Sequence, residues 1–220
     1  MASRNRNNAL ALGVLICLGE RPMHPYEIAN TLRQRQKHES VRLNYGSLYA
    51  VVAALDKRGC IAPQGTTRDG RLPERTVYRL TDEGRIEARD WLTELISTPA
   101  KDYTNLEAAL SFLPALPPGD VAELLRERVT HLEVDLARAA GSRELVEKQR
   151  VPRLFWVEEE YRTVIREAEL GYIRRLIGEI ENGTLEGVKW WHAIHTSDAE
   201  SAWSDATHGD LAGEGKGDEA

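Results

Sequence analysis

The sequence predicts a mainly α-helical fold with one small two-stranded β hairpin, a compact N-terminal domain followed by long helices. Three observations carry this reading. Three apolar helical stretches follow one another within roughly the first sixty residues. The hydrophobic period then changes to two around Thr76, Tyr78 and Leu80. From about Asp120 onward, apolar residues recur every three or four positions over two stretches of roughly thirty residues each.

The first stretch, Ala9 to Leu18, is apolar all round and reads as a buried helix with Asn8 as its N-cap and Gly19 as its stop. Pro25 suits the first position of a second helix, where its missing N–H costs nothing. Tyr26, Ile28, Ala29 and Leu32 give that helix an apolar face, with Glu27, Asn30, Arg33 and Arg35 turned away. Asn44 is the N-cap expected for a third helix. Its Leu48, Val51, Val52 and Leu55 form one stripe at i, i+3, i+4 and i+7, and Gly59 is its left-handed stop. Cys60-Ile61-Ala62 and the run from Thr76 to Leu80 then pair as a hairpin, with Pro63 restricting its strand to an edge. Asp69-Gly70 marks the turn within a long basic tip from Gly65 to Glu74.

Thr81 caps a fourth helix with the stripe Ala88, Trp91, Leu92, Leu95 and Ile96. A short helix follows from Leu106 to about Leu113. Val121, Leu125, Val129, Leu132, Leu136 and Ala139 then define a long helix in which Gly141 marks a candidate kink. Val157, Tyr161, Val164, Ile165, Ala168, Tyr172, Leu176 and Ile180 define another, which ends at Asn182-Gly183. Each is roughly 40–45 Å long at 1.5 Å per residue. Such stripes pack on each other or on a partner chain, so a homodimer is expected. The expected divisions are residues 1–96, the hairpin-bearing domain; 97–195, the dimerisation helices; and 196–220, an acidic Gly-rich tail expected to be disordered.

Composition narrows the function. The longest apolar run, ten residues from Ala9 to Leu18, is about half of a membrane span, so no membrane partner is expected. Cys17 and Cys60 stand in no metal-ligand spacing and read as reduced thiols of a cytoplasmic chain. No phosphate loop, HExxH or GxSxG motif occurs, His192 and His195 have no metal spacing, and Glu158, Glu159 and Glu160 read as a solvated helix face. No cofactor, metal or enzymatic activity is expected. The net charge of -6 conceals an asymmetry: residues 1–80 hold 13 Lys and Arg against 6 Asp and Glu, a net +7. A basic N-terminal third on an acidic protein is the footprint expected of a nucleic-acid partner.

Helix, helix, helix, hairpin is the order of a winged helix-turn-helix, with the third helix as the reader of the major groove and the hairpin as the wing. The N-terminal turn of that helix presents Asn44, Tyr45, Gly46 and Ser47, with Arg42 just before it. The wing carries Arg68, Arg71 and Arg75, suited to a phosphate backbone or a minor groove, although a solvated basic loop has the same composition.

The run Asn44-Tyr45-Gly46-Ser47-Leu48-Tyr49, then Leu55, Gly59, and Arg75-Thr76-Val77-Tyr78-Arg79-Leu80-Thr81-Asp82-Glu83-Gly84, closely resembles the PadR family of bacterial transcriptional regulators. Ala9 to Gly19 and His24-Pro25-Tyr26-Glu27-Ile28 resemble that family's first two helices, so the likeness covers roughly residues 9–96. It implies a dimeric repressor that binds double-stranded DNA and is released by a small, often aromatic, molecule. It also implies a backbone contact for Tyr49, which otherwise reads as a core tyrosine supporting the helix. Trp91, Phe155 and Trp156 are the candidates to line an effector site; buried packing at a dimer interface accounts for them without a ligand, and the two readings are compatible if the pocket lies at that interface. The alternative function is a protein-interaction module on a winged-helix scaffold, and the polar surface of the third helix and wing argues against it.

Overall fold

Local capping sets out the N-terminal part of the chain. The computed structural model describes residues 8–67 and 75–196. It divides into one unit ending at Asp102 and a second beginning at Tyr103. In the first, α1 (Ala9–Glu20) starts where the Asn8 side chain accepts the Leu10 N–H at 3.1 Å. The helix is buried through Leu10, Ala11, Val14, Leu15, Cys17 and Leu18, as an all-round apolar run requires. It does not stop at Gly19 but continues to Glu20; Gly19 lies beside Leu80, whose Cδ2 an added Cβ would meet at an ordinary contact distance of 3.6 Å. Burial pushes the Cys17 thiol above its ordinary pKa, and both cysteines are free and buried.

α2 (Pro25–Gln34) opens with a capping box built on a histidine. His24 Nδ1 accepts the Tyr26 N–H at 3.1 Å, and Glu27 Oε2 accepts the His24 N–H at 2.8 Å. That N–H, with the nearby Arg21 guanidinium, holds the Glu27 carboxyl below its ordinary range. The linkage has one sign. The cap stabilises fully above the ordinary carboxylate value of about 4.3 and is lost as pH falls through the depressed one. Glu27 is partly exposed, so the expected effect is about 0.5 kcal/mol. Urea unfolding between pH 3 and 6 should show that share of the acid slope vanish in Glu27→Gln, which keeps the hydrogen bond and does not titrate; an unaltered slope would refute it.

α3 (Tyr45–Lys57) buries Leu48, Val51, Val52 and Leu55, the stripe predicted for it. Gly59 follows at φ +71°. β1 (Ile61–Thr67) and β2 (Arg75–Leu80) pair antiparallel from Ile61↔Leu80 to Thr67↔Arg75, with an irregularity between Pro63 and Gly65 where proline lacks a ladder donor. Both strands run further into the hairpin than the alternation indicated. On the far side of β2, Met23 and Tyr78 exchange two backbone hydrogen bonds of 3.0 Å, which leaves β1 at the edge.

α4 (Asp82–Ser97) begins against the sheet. Thr81 accepts the Gly84 N–H at 3.0 Å and donates its hydroxyl to the Gly59 carbonyl at 2.7 Å. Gly84 is fixed by sterics: a Cβ there would lie 1.9 Å from the Cys60 carbonyl oxygen and 2.8 Å from Leu80 Cδ1. Gly84→Ala is therefore expected to destabilise the protein by about 3 kcal/mol, read from its urea midpoint, and a loss under about 0.5 kcal/mol would contradict this packing. Glu87 is buried and accepts from Arg58 at 2.7 Å, tying α4 to the end of α3. Ala88 and Trp91 enter the core, whereas Leu92, Leu95 and Ile96 of the same predicted stripe stay exposed.

The C-terminal unit contains α5 (Asn105–Leu110), a 3₁₀ turn (Leu113–Ala115), α6 (Pro118–Lys148), a 3₁₀ turn (Arg153–Phe155), α7 (Val157–Glu181) and α8 (Val188–Ala193). α6 passes Gly141 without interruption, since one glycine costs a helix only about 1 kcal/mol. α6 and α7 are antiparallel: Arg126 pairs with Glu181, Arg128 with Glu169 at 2.6 Å, and Glu133 with Arg174. Their common core gathers at one end, where Val121, Leu125, Ile173, Leu176, Ile177 and Ile180 meet Val188, Trp191 and Ile194. The α7 stripe therefore splits. Its C-terminal part is buried, and Val157, Tyr161, Val164, Ile165, Ala168 and Tyr172 lie exposed on the single chain.

Candidate nucleic-acid interface

Asn44 fixes the start of α3 by accepting the Ser47 N–H at 2.7 Å. Its carbonyl thus builds the helix terminus that the sequence assigned it to read from. Around that cap Arg42, Asn44, Tyr45, Gly46, Ser47 and Tyr49 are all exposed, and Leu48 alone in this run is buried. The period explains the division: Leu48 starts the core stripe, and its neighbours on either side fall on the opposite face. Tyr49 is 49% exposed and stands outside the core.

Two residues beyond the predicted set join this surface. The Tyr26 ring stacks on Tyr45, with centroids 6.1 Å apart and planes 8° from parallel. Arg33 lies 4.6 Å above the Tyr45 ring and donates to its hydroxyl at 2.5 Å. The sequence placed Arg33 on the outward face of α2 and Tyr26 on the inward one; Tyr26 is in fact 46% exposed. At the second helical position it lies ahead of the buried stripe of Ile28, Ala29 and Leu32 and stacks on Tyr45 of α3.

The wing is formed by β1 and β2. Arg68 and Arg71 lie outside the described residues, and Arg75 is placed through its backbone pairing with Thr67. The predicted effector residues fall in different units. Trp91 is 1% exposed in the N-terminal core, and its indole N–H has no hydrogen-bond partner. Phe155 is exposed at the turn between α6 and α7. Beside it the Trp156 indole donates to the Val151 carbonyl at 3.3 Å, with the Arg143 guanidinium 5.4 Å over its ring. Glu160, from the acidic run, pairs with Arg153 at 2.6 Å, which holds its carboxyl below the ordinary range. Among the described residues no group of His, Cys, Asp and Glu could hold a metal, and no helix is long and apolar enough to cross a membrane.

A three-helix core, a helix pair in which the second helix exposes a polar N-terminal turn, and a following two-stranded wing define the winged helix-turn-helix class of protein. Residues 14–90 match the Transcriptional regulator PadR-like family. Among solved structures, the fold is similar to Bacillus subtilis PadR in complex with operator DNA, at 18% identity and TM-score 0.63 over 78% of this chain and 98% of that one. It is also similar to Bacillus subtilis PadR in complex with p-coumaric acid, at 16% identity and TM-score 0.60 over 82% and 99%. The PadR-like regulator BC1756 of Bacillus cereus aligns at 17% identity and TM-score 0.54 over 79% and 99%. No curated protein matches the sequence significantly.

Proposed function

We propose that this protein is a cytoplasmic, homodimeric transcriptional repressor that binds a pseudo-palindromic operator and leaves it on binding a small aromatic molecule. The observation that carries the reading is the exposed turn Arg42, Asn44, Tyr45, Gly46, Ser47 and Tyr49, set by a capped helix over a wholly apolar stripe. A helix terminus of this kind offers backbone N–H groups to phosphate, and polar side chains to base edges. Operator binding by a protein of the same fold supports the choice of partner, and p-coumaric acid on that protein supports the effector class. No enzymatic role is proposed, since the site holds no paired nucleophile and base.

Within this interface Tyr45 and Ser47 read bases, and Arg33 and Tyr26 hold the Tyr45 ring in place. The wing arginines, Arg68, Arg71 and Arg75, grip the backbone. The test uses an operator selected from a random duplex pool, with a scrambled duplex as competitor. Ser47→Ala and Tyr45→Ala should each lose about 1–3 kcal/mol of operator preference. Arg71→Ala should weaken both duplexes alike and lower the salt slope by about two units, one for each subunit. Arg33→Leu should cost operator preference while leaving that slope unchanged; a slope lower by about two would make Arg33 a phosphate contact instead. Loss of operator preference in Arg71→Ala with random binding intact would show that the wing reads sequence. Failure of the wild type to select any duplex would remove the whole reading.

A further inference from the structure

The C-terminal unit carries an apolar groove with a volume of 230 Å³ between α5, the turn that follows it, and the first turns of α6. Leu110, Leu113, Leu116 and Leu124 line it, and Leu116 and Leu124 are about half exposed. Arg128 is the cation in the lining, and it is paired with Glu169 of α7 at 2.6 Å. At the far end of the α6–α7 hairpin, the 3₁₀ turn Arg153–Phe155 holds out Leu154, 76% exposed, and Phe155, 62% exposed. An apolar groove and an apolar turn thus stand at opposite ends of one helical hairpin.

We propose that these two ends meet between copies of the chain: Leu154 and Phe155 of one copy enter the α5–α6 groove of the second, and the reciprocal contact forms at the other end. The proposal rests on the dimeric reading above and adds which surfaces the two copies share. Register carries it. The exposed stripe of α7 runs from Val157 to Tyr172, and its midpoint falls between Val164 and Ile165. A two-fold axis there, perpendicular to α7, pairs the two copies of that helix antiparallel. Position 155 of one copy then lies level with position 174 of the other, each about 14 Å from the axis at 1.5 Å per residue. Within a chain, the pairs Arg128 with Glu169 and Glu133 with Arg174 set α6 beside this part of α7. The groove residues Leu124 and Arg128 therefore lie within about one helical turn of the level that the turn of the second copy reaches. They also lie toward its side, since Glu169, which holds Arg128, adjoins Ala168 and Tyr172 of the stripe.

Area and charge select a second copy as the occupant. A stable interface takes about 20–30 residues a side. The α7 stripe supplies only Val157, Tyr161, Val164, Ile165, Ala168 and Tyr172, so its two ends must contribute. Glu123 and Glu127, beside Leu124, are exposed, and among the described residues they form no ion pair. Arg150, three residues before the turn, is exposed at φ +53° and likewise forms none. The antiparallel arrangement brings this cation toward those carboxylates at both ends.

The test uses full-length chains carrying Leu124→Cys, Leu154→Cys or both, treated with a short bismaleimide. Cys17 and Cys60 are buried, so wild type sets a low background. Within one chain Leu124 and the end of α6 are about 36 Å apart, so a link between the two introduced thiols joins two chains. Across the axis the two copies of position 154 stand about 30 Å apart, beyond the reach of the reagent. The double variant should form cross-linked dimer at least about tenfold faster than either single variant. Leu124→Glu should raise the dimer dissociation constant about tenfold or more, with circular dichroism unchanged because Leu124 is half exposed. A wild type that sediments as a dimer, with the double variant linking no faster than the single ones, would overturn the proposal and leave the dimeric reading standing. Rapid linking of Leu154→Cys alone would show that the turns meet each other and would overturn it likewise, as would an unchanged dissociation constant in Leu124→Glu. A wild type that sediments as a monomer at micromolar concentration would remove the dimeric reading and this proposal together.

Discussion

Raising the salt concentration from 50 to 200 mM should lower the affinity of this protein for its operator by about 10³–10⁵-fold. The expectation comes from counterion release. If the proposed dimer sets Arg42 and the wing arginines Arg68, Arg71 and Arg75 of each subunit against DNA, it neutralises roughly 6–10 phosphates, and each neutralised phosphate adds about 0.9 to the steepness of log affinity against log salt. The whole chain carries -6, so a bulk-charge argument predicts weak attraction to DNA. Residues 1–80, at 13 basic against 6 acidic side chains, predict strong local attraction. Screening decides between them. At 0.1 M salt the Debye length is about 10 Å, so charges beyond that distance from the groove count for little. Fluorescence anisotropy at four salt concentrations measures the slope. A flat line would favour the protein-interaction module, whose contacts release no counterions.

Ile165→Glu should convert the proposed dimer to a monomer and take operator binding with it. Val157, Tyr161, the adjacent pair Val164 and Ile165, Ala168 and Tyr172 recur every three or four residues on the exposed side of α7, and Ile165 is half exposed in the single chain. In a two-fold dimer the same patch meets itself, so one substitution places two carboxylates in the interface. Each buried, unpaired charge costs several kcal/mol. The dimer dissociation constant should rise by about 10³ or more. Monomers then bind half-sites singly, and operator affinity falls to that of one reading helix. Sedimentation of wild type and variant at micromolar concentration checks the first step, and circular dichroism checks that the fold survives. A variant that still sediments as a tight dimer would move the interface elsewhere, with the exposed Leu92, Leu95 and Ile96 of α4 as the next surface to test.

Much of the local architecture was legible in the sequence because it rests on short-range rules. The Asn8, Asn44 and Thr81 caps, Pro25 at a helix start, the left-handed Gly59 and the stripe from Leu48 to Leu55 all depend on residues within a turn or two of each other. What went unread involves partners distant in sequence. Gly19 resembled a helix stop, yet α1 runs through it to Glu20 and packs it beside Leu80, about sixty residues on. Tyr26 fitted an apolar face, and its ring lies on Tyr45. Arg33 counted only as an outward charge until α2 and α3 came together.

The sequence by itself determined the helical segments other than α8, that a wing follows the third helix, and which end of that helix is polar. These follow from hydrophobic period and capping chemistry, which act within about ten residues. Tertiary structure alone decided which parts of each stripe are covered. The α7 stripe is continuous in sequence, but only its C-terminal half meets α6 and α8 in the common core. Tertiary structure likewise split the predicted effector residues, leaving Trp91 in the N-terminal core and Phe155 and Trp156 at the α6–α7 turn. Burial depends on what an element packs against, and a periodic pattern specifies the face without specifying the partner.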